Sequence, residues 1–299
     1  MLTQGPILVA LDGSELAEGV LPYASELASA LRTHLVLATI WEGADADLAA
    51  AFPKMQVEVT LSAQAYFETY LAGVKEKLND SDKIRTIVRP GDASEEILKI
   101  ADEIGARAIA IATHGRSGVG RWVYGSTAGR LLRSSKLPIL VTGPKALDNK
   151  RSATGIKKIM VPLDGSKLSE AALPVAVGVA EALGASICLG RVVRWAVQSY
   201  PYTLPDAYVP QVDEELEKGA KEYLRAKEAE FKDAGKIEAF VVRGGVADGL
   251  LDLVDQQSVD LVVMTTHARG GFARAALGST ADRMLQASAP VLLVRPDED

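Results

Sequence analysis

Between Thr113 and Thr127 the chain reads THGRSGVGRWVYGST, a run with four glycines and with Arg116 and Arg121, directly after the apolar stretch ARAIAIA. Glycines such as Gly115, Gly118 and Gly125 tolerate positive φ and let backbone N–H groups approach phosphate oxygens with no Cβ in the way. Ser126 and Thr127 then open the apolar helical pattern STAGRLLRSS, whose first amides and dipole favour an anion. Arg116 and Arg121 are candidate charge partners. This is the chemistry of a phosphate cradle. The bland alternative is an ordinary helix cap, for which Gly-Ser-Thr is also suited. The loop is neither a P-loop, because no G-x-x-x-x-G-K-[ST] occurs, nor a G-x-G-x-x-G dinucleotide fingerprint.

An imperfect second version, THARGGFARAALGST, spans Thr266–Thr280. It belongs to a repeat of the whole chain. ILVALDGSELAEGVLPYASELASAL aligns without gaps on IMVPLDGSKLSEAALPVAVGVAEAL, placing Asp12 on Asp164 at an offset of 152 (164 − 12). His114 meets His267, and Gly125-Ser126-Thr127 meets Gly278-Ser279-Thr280, at an offset of 153 (267 − 114; 278 − 125). The repeating unit is a domain, not a solenoid turn. We place the copies at residues 1–147 and 156–299, joined by a polar, Gly- and Pro-containing linker at about 145–155.

Asp12 follows the first strand, within LDGS. It is either a ligand contact or an Asx turn that starts the first helix, and the two are compatible. One histidine per loop, with no cysteine or second histidine near it, does not make a metal site. Trp122 and Tyr124 read as the underside of the loop packing on its domain. The formal charge of −6 offers no electrostatic footprint for nucleic acid or an anionic membrane surface. Cys188, the single cysteine, lies in the apolar run ASICLG and reads as a buried strand residue. With no leader-like start and no apolar run of about 18 residues, the expected location is cytoplasmic.

These residues must be positioned by alternating strands and helices. In the first copy strands are expected at Ile7–Leu11, Leu35–Ile40, Ile84–Val88, Ala108–Thr113 and Pro138–Thr142. The second copy repeats them at Ile159–Leu163, Ile187–Val193, Glu238–Val242, Leu261–Thr266 and Pro290–Arg295. Such apolar strands imply burial on both faces and a parallel sheet between helices. The fold expected is α/β: two tandem doubly wound, Rossmann-like domains, each a five-stranded parallel-core sheet flanked by helices. In GDASEEILKIADEIGA, Asp92 and Glu95 have capping-box spacing. Ile97, Leu98, Ala101 and Ile104 share a face, and Gly105 stops the helix. Pro22 and Pro174 predict a turn from Ser14, with regular helix only around or after Gly19. Long helices are expected near Met55–Leu78 and Gln211–Ala234. The last strands, PILVTG and PVLLVRP, would leave apolar edges open, which predicts that the two copies pair through them; a homodimer of chains is a further expectation.

The ordered set LVALDGS, RPGDASEEIL and ATHGRSGVGRWVYGSTAGRLLRSSKLPILV resembles the universal stress protein family, and the duplicated chain resembles its tandem-domain members along essentially its whole length. The family's nucleotide-binding version carries G-x-x-G, nine residues, then G-[ST], with an aspartate after the first strand. Gly115, nine residues and Gly125-Ser126 match, as does Asp12, while Ala112 replaces the first glycine. In the second copy Asp164, Gly278 and Ser279 match, but Thr265 and Ala268 replace both members of the G-x-x-G pair.

The resemblance implies ATP as the ligand. Its phosphates would rest on the loop of Ala112, His114, Gly115, Arg116 and Gly118 and on the amides of Gly125, Ser126 and Thr127. Asp12 would lie near the sugar or an accompanying Mg2+, and the adenine against the second strand's end around Ile40. Asp164, Gly278, Ser279 and Thr280 are the second-copy equivalents, in a degenerate loop expected to bind less tightly. Phosphoryl transfer needs a positioned base and a metal clamp, and Asp12 is the only acidic candidate on the expected sheet edge. The function expected is therefore nucleotide binding in a stress-response or regulatory role. The alternatives are a slow ATPase or nucleotidyl-transfer enzyme, and a nucleotide-independent interaction scaffold.

Overall fold

The computed structural model describes residues 4–41, 43, 53–78, 81–113, 125–148, 155–195, 209–266 and 277–295. The chain divides into two compact units, Leu2–Thr142 and Gly143–Asp299.

In the first unit, strands β1 (Ile7–Ala10), β2 (Leu35–Trp41), β3 (Arg85–Pro90), β4 (Ala108–Ala112) and β5 (Ile139–Thr142) run in the order β3-β2-β1-β4-β5. Every pairing is parallel. The helices are α1 (Glu15–Glu18), α2 (Leu21–Ala30), α3 (Pro53–Glu76), α4 (Ala93–Glu103) and α5 (Ser126–Ser134). Strand order reverses about β1: the chain moves outward to β2 and β3, then returns to β4 on the other side. The carboxyl ends of β1 and β4 therefore flank a topological switch point, where open α/β sheets hold their ligands.

The second unit repeats the plan. Strands β6 (Lys158–Pro162), β7 (Ser186–Val193), β8 (Ile237–Arg243), β9 (Leu261–Thr265) and β10 (Val291–Val294) run in the order β8-β7-β6-β9-β10, again parallel. Its helices are α6 (Pro144–Asp148), α7 (Lys167–Glu170), α8 (Leu173–Leu183), α9 (Val209–Glu230), α10 (Val246–Gln256) and α11 (Ser279–Met284). Helix α6 occupies the first part of the segment expected to be linker. No helix among the described residues is long and apolar enough to cross a membrane.

All ten expected strands form. Burial on both faces holds for the eight strands other than β3 and β8, which are half-buried or exposed along their length. Both lie at the β3 and β8 ends of those orders and have a partly covered face. Cys188 is buried in β7, and desolvation pushes its thiol up to about 12.

The prolines act as expected, with one addition. Each stands in the first turn of its helix, Pro22 in α2 and Pro174 in α8, where a missing N–H is harmless. The turn before each is itself helical, α1 and α7, capped by the hydroxyls of Ser14 and Ser166. Asp92 caps α4 by accepting from the amides of Ser94 and Glu95. The buried face of α4 is Ser94, Ile97, Ile100 and Ala101, so Ile100 takes the place expected for Leu98 and Ile104, which are half-buried.

The repeat exposes two strained positions. Gly105 has φ 59° where its equivalent Ser258 has φ 53°, and Gly184 has φ 65° where Arg32 has φ 51°. Left-handed backbone costs a non-glycine residue roughly 1 kcal/mol. Ser258→Gly is therefore expected to stabilise the protein by up to about 1 kcal/mol, less the unfolded-state entropy that glycine adds. An unchanged or lower urea midpoint would contradict this.

Candidate functional site

The switch point of the first unit is a cleft of about 700 Å³. Its floor is the ends of β1, β2 and β4, represented by Ala10, Ile40 and Ala112. One lip is Asp12; the other is the start of α5, with Gly125, Ser126 and Thr127. The fold thus gathers Asp12, Ile40, Ala112, Gly125, Ser126 and Thr127 around one cavity. Of the other loop residues considered, His114, Gly115, Arg116, Gly118, Trp122 and Tyr124 lie outside the described residues.

Among the described residues no side chain caps the start of α5, whose N-cap is Gly125, whereas Ser14 and Asp92 cap α1 and α4 in the same unit. The Gly125 amide is used internally, donating to the Thr113 carbonyl at 3.0 Å. Its backbone, at φ −49° and ψ 146°, suits any residue, and among the described residues an added Cβ would meet only the Thr113 oxygen, at 3.7 Å. Nothing in the described protein requires a glycine here. A side chain would, however, stand at the mouth of the cradle.

Asp12 forms the Asx turn. Its Oδ1 accepts from the Ser14 amide at 3.0 Å and the Ser14 hydroxyl at 2.6 Å. Asp164 does the same with Ser166, at 2.9 and 2.6 Å. Arg130 of α5 donates to Asp92 Oδ2 at 2.6 Å. The Ser94 hydroxyl, then the Glu95 amide, then Arg130 hold the Asp92 carboxyl down to about 2. Among the described residues no cluster of three or more metal-ligating side chains occurs.

Sequence reasoning missed two walls of this cleft, Trp41 and Phe67. Trp41 ends β2 beside Ile40, so the strand-end rule could have found it. Phe67 lies on α3 and reaches the cleft only through packing. The Trp41 Nε1 and the Thr39 hydroxyl are buried and find no hydrogen-bond partner among the described residues.

The second unit has a cleft of about 460 Å³, lined by Asp164, Thr265 and Thr280 among others. Gly278 is an uncapped N-cap of α11, and its amide donates to Thr266 at 2.9 Å as Gly125 does to Thr113. Gly278 and Ser279 thus keep the helix-start position but are not among the lining residues. His267, Ala268, Arg269 and Arg274 fall outside the described residues. Thr265 stands in the wall where the first cleft has Ala112.

The comparisons with known proteins show the family and the fold. The sequence model of the universal stress protein family matches twice, at residues 5–143 and 155–295, and the chain belongs to that family, once in each half. A universal stress protein of Mycolicibacterium smegmatis is 28% identical over 234 residues, covering 77% of this chain and 71% of the relative. A shorter one from Bacillus subtilis is 31% identical over 145 residues, covering 46% of this chain and 98% of its own length. A universal stress protein from Archaeoglobus fulgidus shares the fold, with a TM-score of 0.70 at 18% identity over 97% of this chain and 98% of the other.

Proposed function

We propose that this tandem universal stress protein binds ATP in the cleft of its first unit and acts through that binding as a stress-response regulator, not as an enzyme of rapid turnover. The observation that carries the proposal is the start of α5. First-turn helix amides with no side-chain cap among the described residues, and the positive end of the dipole, border a cleft of nucleotide size, beside a glycine that the described fold does not need. The phosphates would lie on the amides following Gly125. The purine would lie toward Ile40 and Trp41, whose buried indole N–H offers a donor. Asp12 would approach the sugar or a Mg2+ travelling with the phosphates.

The second cleft is expected to hold ATP roughly tenfold to a hundredfold more weakly. Thr265 brings a branched side chain where Ala112 leaves room, and the second loop has lost both glycines of the G-x-x-G pair. Hydrolysis is expected to be slow. Asp12 is the one acidic residue among the described lining residues, and its Oδ1 is occupied by Ser14, which leaves no dedicated base among those residues.

Calorimetry of the full chain with ATP, paired with phosphate release, tests the proposal. Tight binding at one site and release far below about 1 per second is the expected result. A chain that binds no ATP would favour a nucleotide-independent scaffold. Turnover of roughly 1 to 10 per second, abolished by Asp12→Ala, would make it an enzyme.

A further inference from the structure

The two clefts differ most at the end of the second strand. Sheet register equates Ala10 with Pro162 and Ala38 with Gly190, and therefore Thr39 with Arg191. In the first unit Thr39 is fully buried and takes no part in lining the cleft. In the second, Arg191 lines it. A matching exchange lies across the cavity at an offset of 153 (220 − 67). Phe67, a wall of the first cleft, becomes the buried Ala220, a smaller side chain.

Arg191 is held in place. Its guanidinium carbon lies 4.7 Å from the centroid of the Tyr223 ring. The position of a Cβ on Gly165 would be 3.2 Å from both terminal nitrogens, so the group rests on the turn that follows β6. Tyr223 is itself anchored, its hydroxyl donating to Glu170 Oε1 at 2.8 Å while Lys227 pairs with Glu170 Oε2 at 3.0 Å. Burial, then the Glu170 bond, push the Tyr223 hydroxyl well above the usual phenol range, so the ring stays neutral as a cation platform. Among the described residues no carboxylate forms an ion pair with Arg191. Asp164, in the same wall, is turned to Ser166.

A guanidinium only donates, in a planar fork that matches two adjacent acceptors. Strand order sets which part of a ligand meets it. Strand β6 separates β7 from β9, the strand that leads toward α11, so Arg191 lies about two strand spacings, roughly 10 Å, from the end corresponding to the phosphate cradle of the first cleft. A nucleotide oriented as proposed for that cleft presents its base to Arg191. Adenine offers N7 beside the N6 amino donor, which opposes a donor fork. Guanine offers N7 beside O6, two acceptors at the spacing of the fork.

We propose that Arg191 makes the second cleft selective for a guanine nucleotide, so that the two halves of the chain read different purines. The inference rests on the nucleotide reading of the family cleft, but its failure is separable from failure of that reading. The test is calorimetry of the full-length protein with ATP and with GTP, on the wild type, on Arg191→Lys, which keeps the charge without the fork, and on Arg191→Thr, which installs the first unit's residue. Gly125→Val protein isolates the second cleft, and thermal melting checks folding.

GTP is expected to bind the second cleft about tenfold to a hundredfold more tightly than ATP does. Both Arg191 substitutions are expected to remove that preference while ATP binding at the first cleft is unchanged. A second cleft with no preference for GTP overturns the inference and leaves the ATP proposal standing, as does full retention of the preference in Arg191→Lys, which would reduce Arg191 to a point charge. Absence of any nucleotide binding in either cleft of the wild type overturns both.

Discussion

Gly125→Val is expected to lower ATP affinity at the first cleft by about a hundredfold while leaving the melting temperature within a degree or so of wild type. The fold tolerates the side chain: Gly125 has the negative φ of an ordinary extended residue, and among the described residues the nearest atom to an added Cβ is the Thr113 oxygen at 3.7 Å. The substitution removes no side-chain cap, because Gly125 has no side chain to supply one. A phosphate on the same helix start would lose its approach to the Ser126 and Thr127 amides. Charge-assisted hydrogen bonds are worth about 1.5–3 kcal/mol each, so the loss of even two reaches the hundredfold range. Calorimetry on Gly125→Val and Gly278→Val side by side reads the result. If only Gly278→Val loses the tight site, the working cleft has been assigned to the wrong half; if neither does, the phosphates lie elsewhere.

Leu131→Ala is expected to destabilise the first unit by about 2–5 kcal/mol and to weaken ATP binding with it. Leu131 is fully buried and also lines the cleft. Helix α5, of nine residues, is too short to persist by itself. Ala128, Gly129, Leu131 and Leu132 are its buried residues, so a cavity beneath Leu131 loosens the element that presents the cradle. Urea unfolding followed by hydrogen exchange at amides of the first unit would measure this. A loss below about 1 kcal/mol would show that α5 is held by something other than this packing.

The ten strands were legible because each contains a short apolar, β-branched run between Gly, Pro or polar residues, a pattern that burial on both faces imposes directly on composition in eight of them. The turn at Asp12 was legible too, since LDGS carries its chemistry within three residues: the carboxylate, the Ser14 amide and the Ser14 hydroxyl that meet in the structure. Duplication made the plan readable twice, and the Gly125 and Gly278 helix starts recur with the same amide bond back to the preceding strand end.

Position within the sheet was not legible. Strands β3 and β8 look like the others as sequence, but crossover order sends them to the outer end and leaves them partly uncovered. The walls of the clefts were hidden for the same reason. Phe67 reaches the first cleft from α3, and Arg191 meets Tyr223 of α9 across 32 residues of chain (223 − 191). Local pattern sets which segments become strand, helix or turn, because that choice depends on neighbours within a few residues. Which side chains share a cavity depends on how α3 and α9 are laid over the sheet, a free-energy balance struck between elements distant in sequence, and only the tertiary structure expresses it.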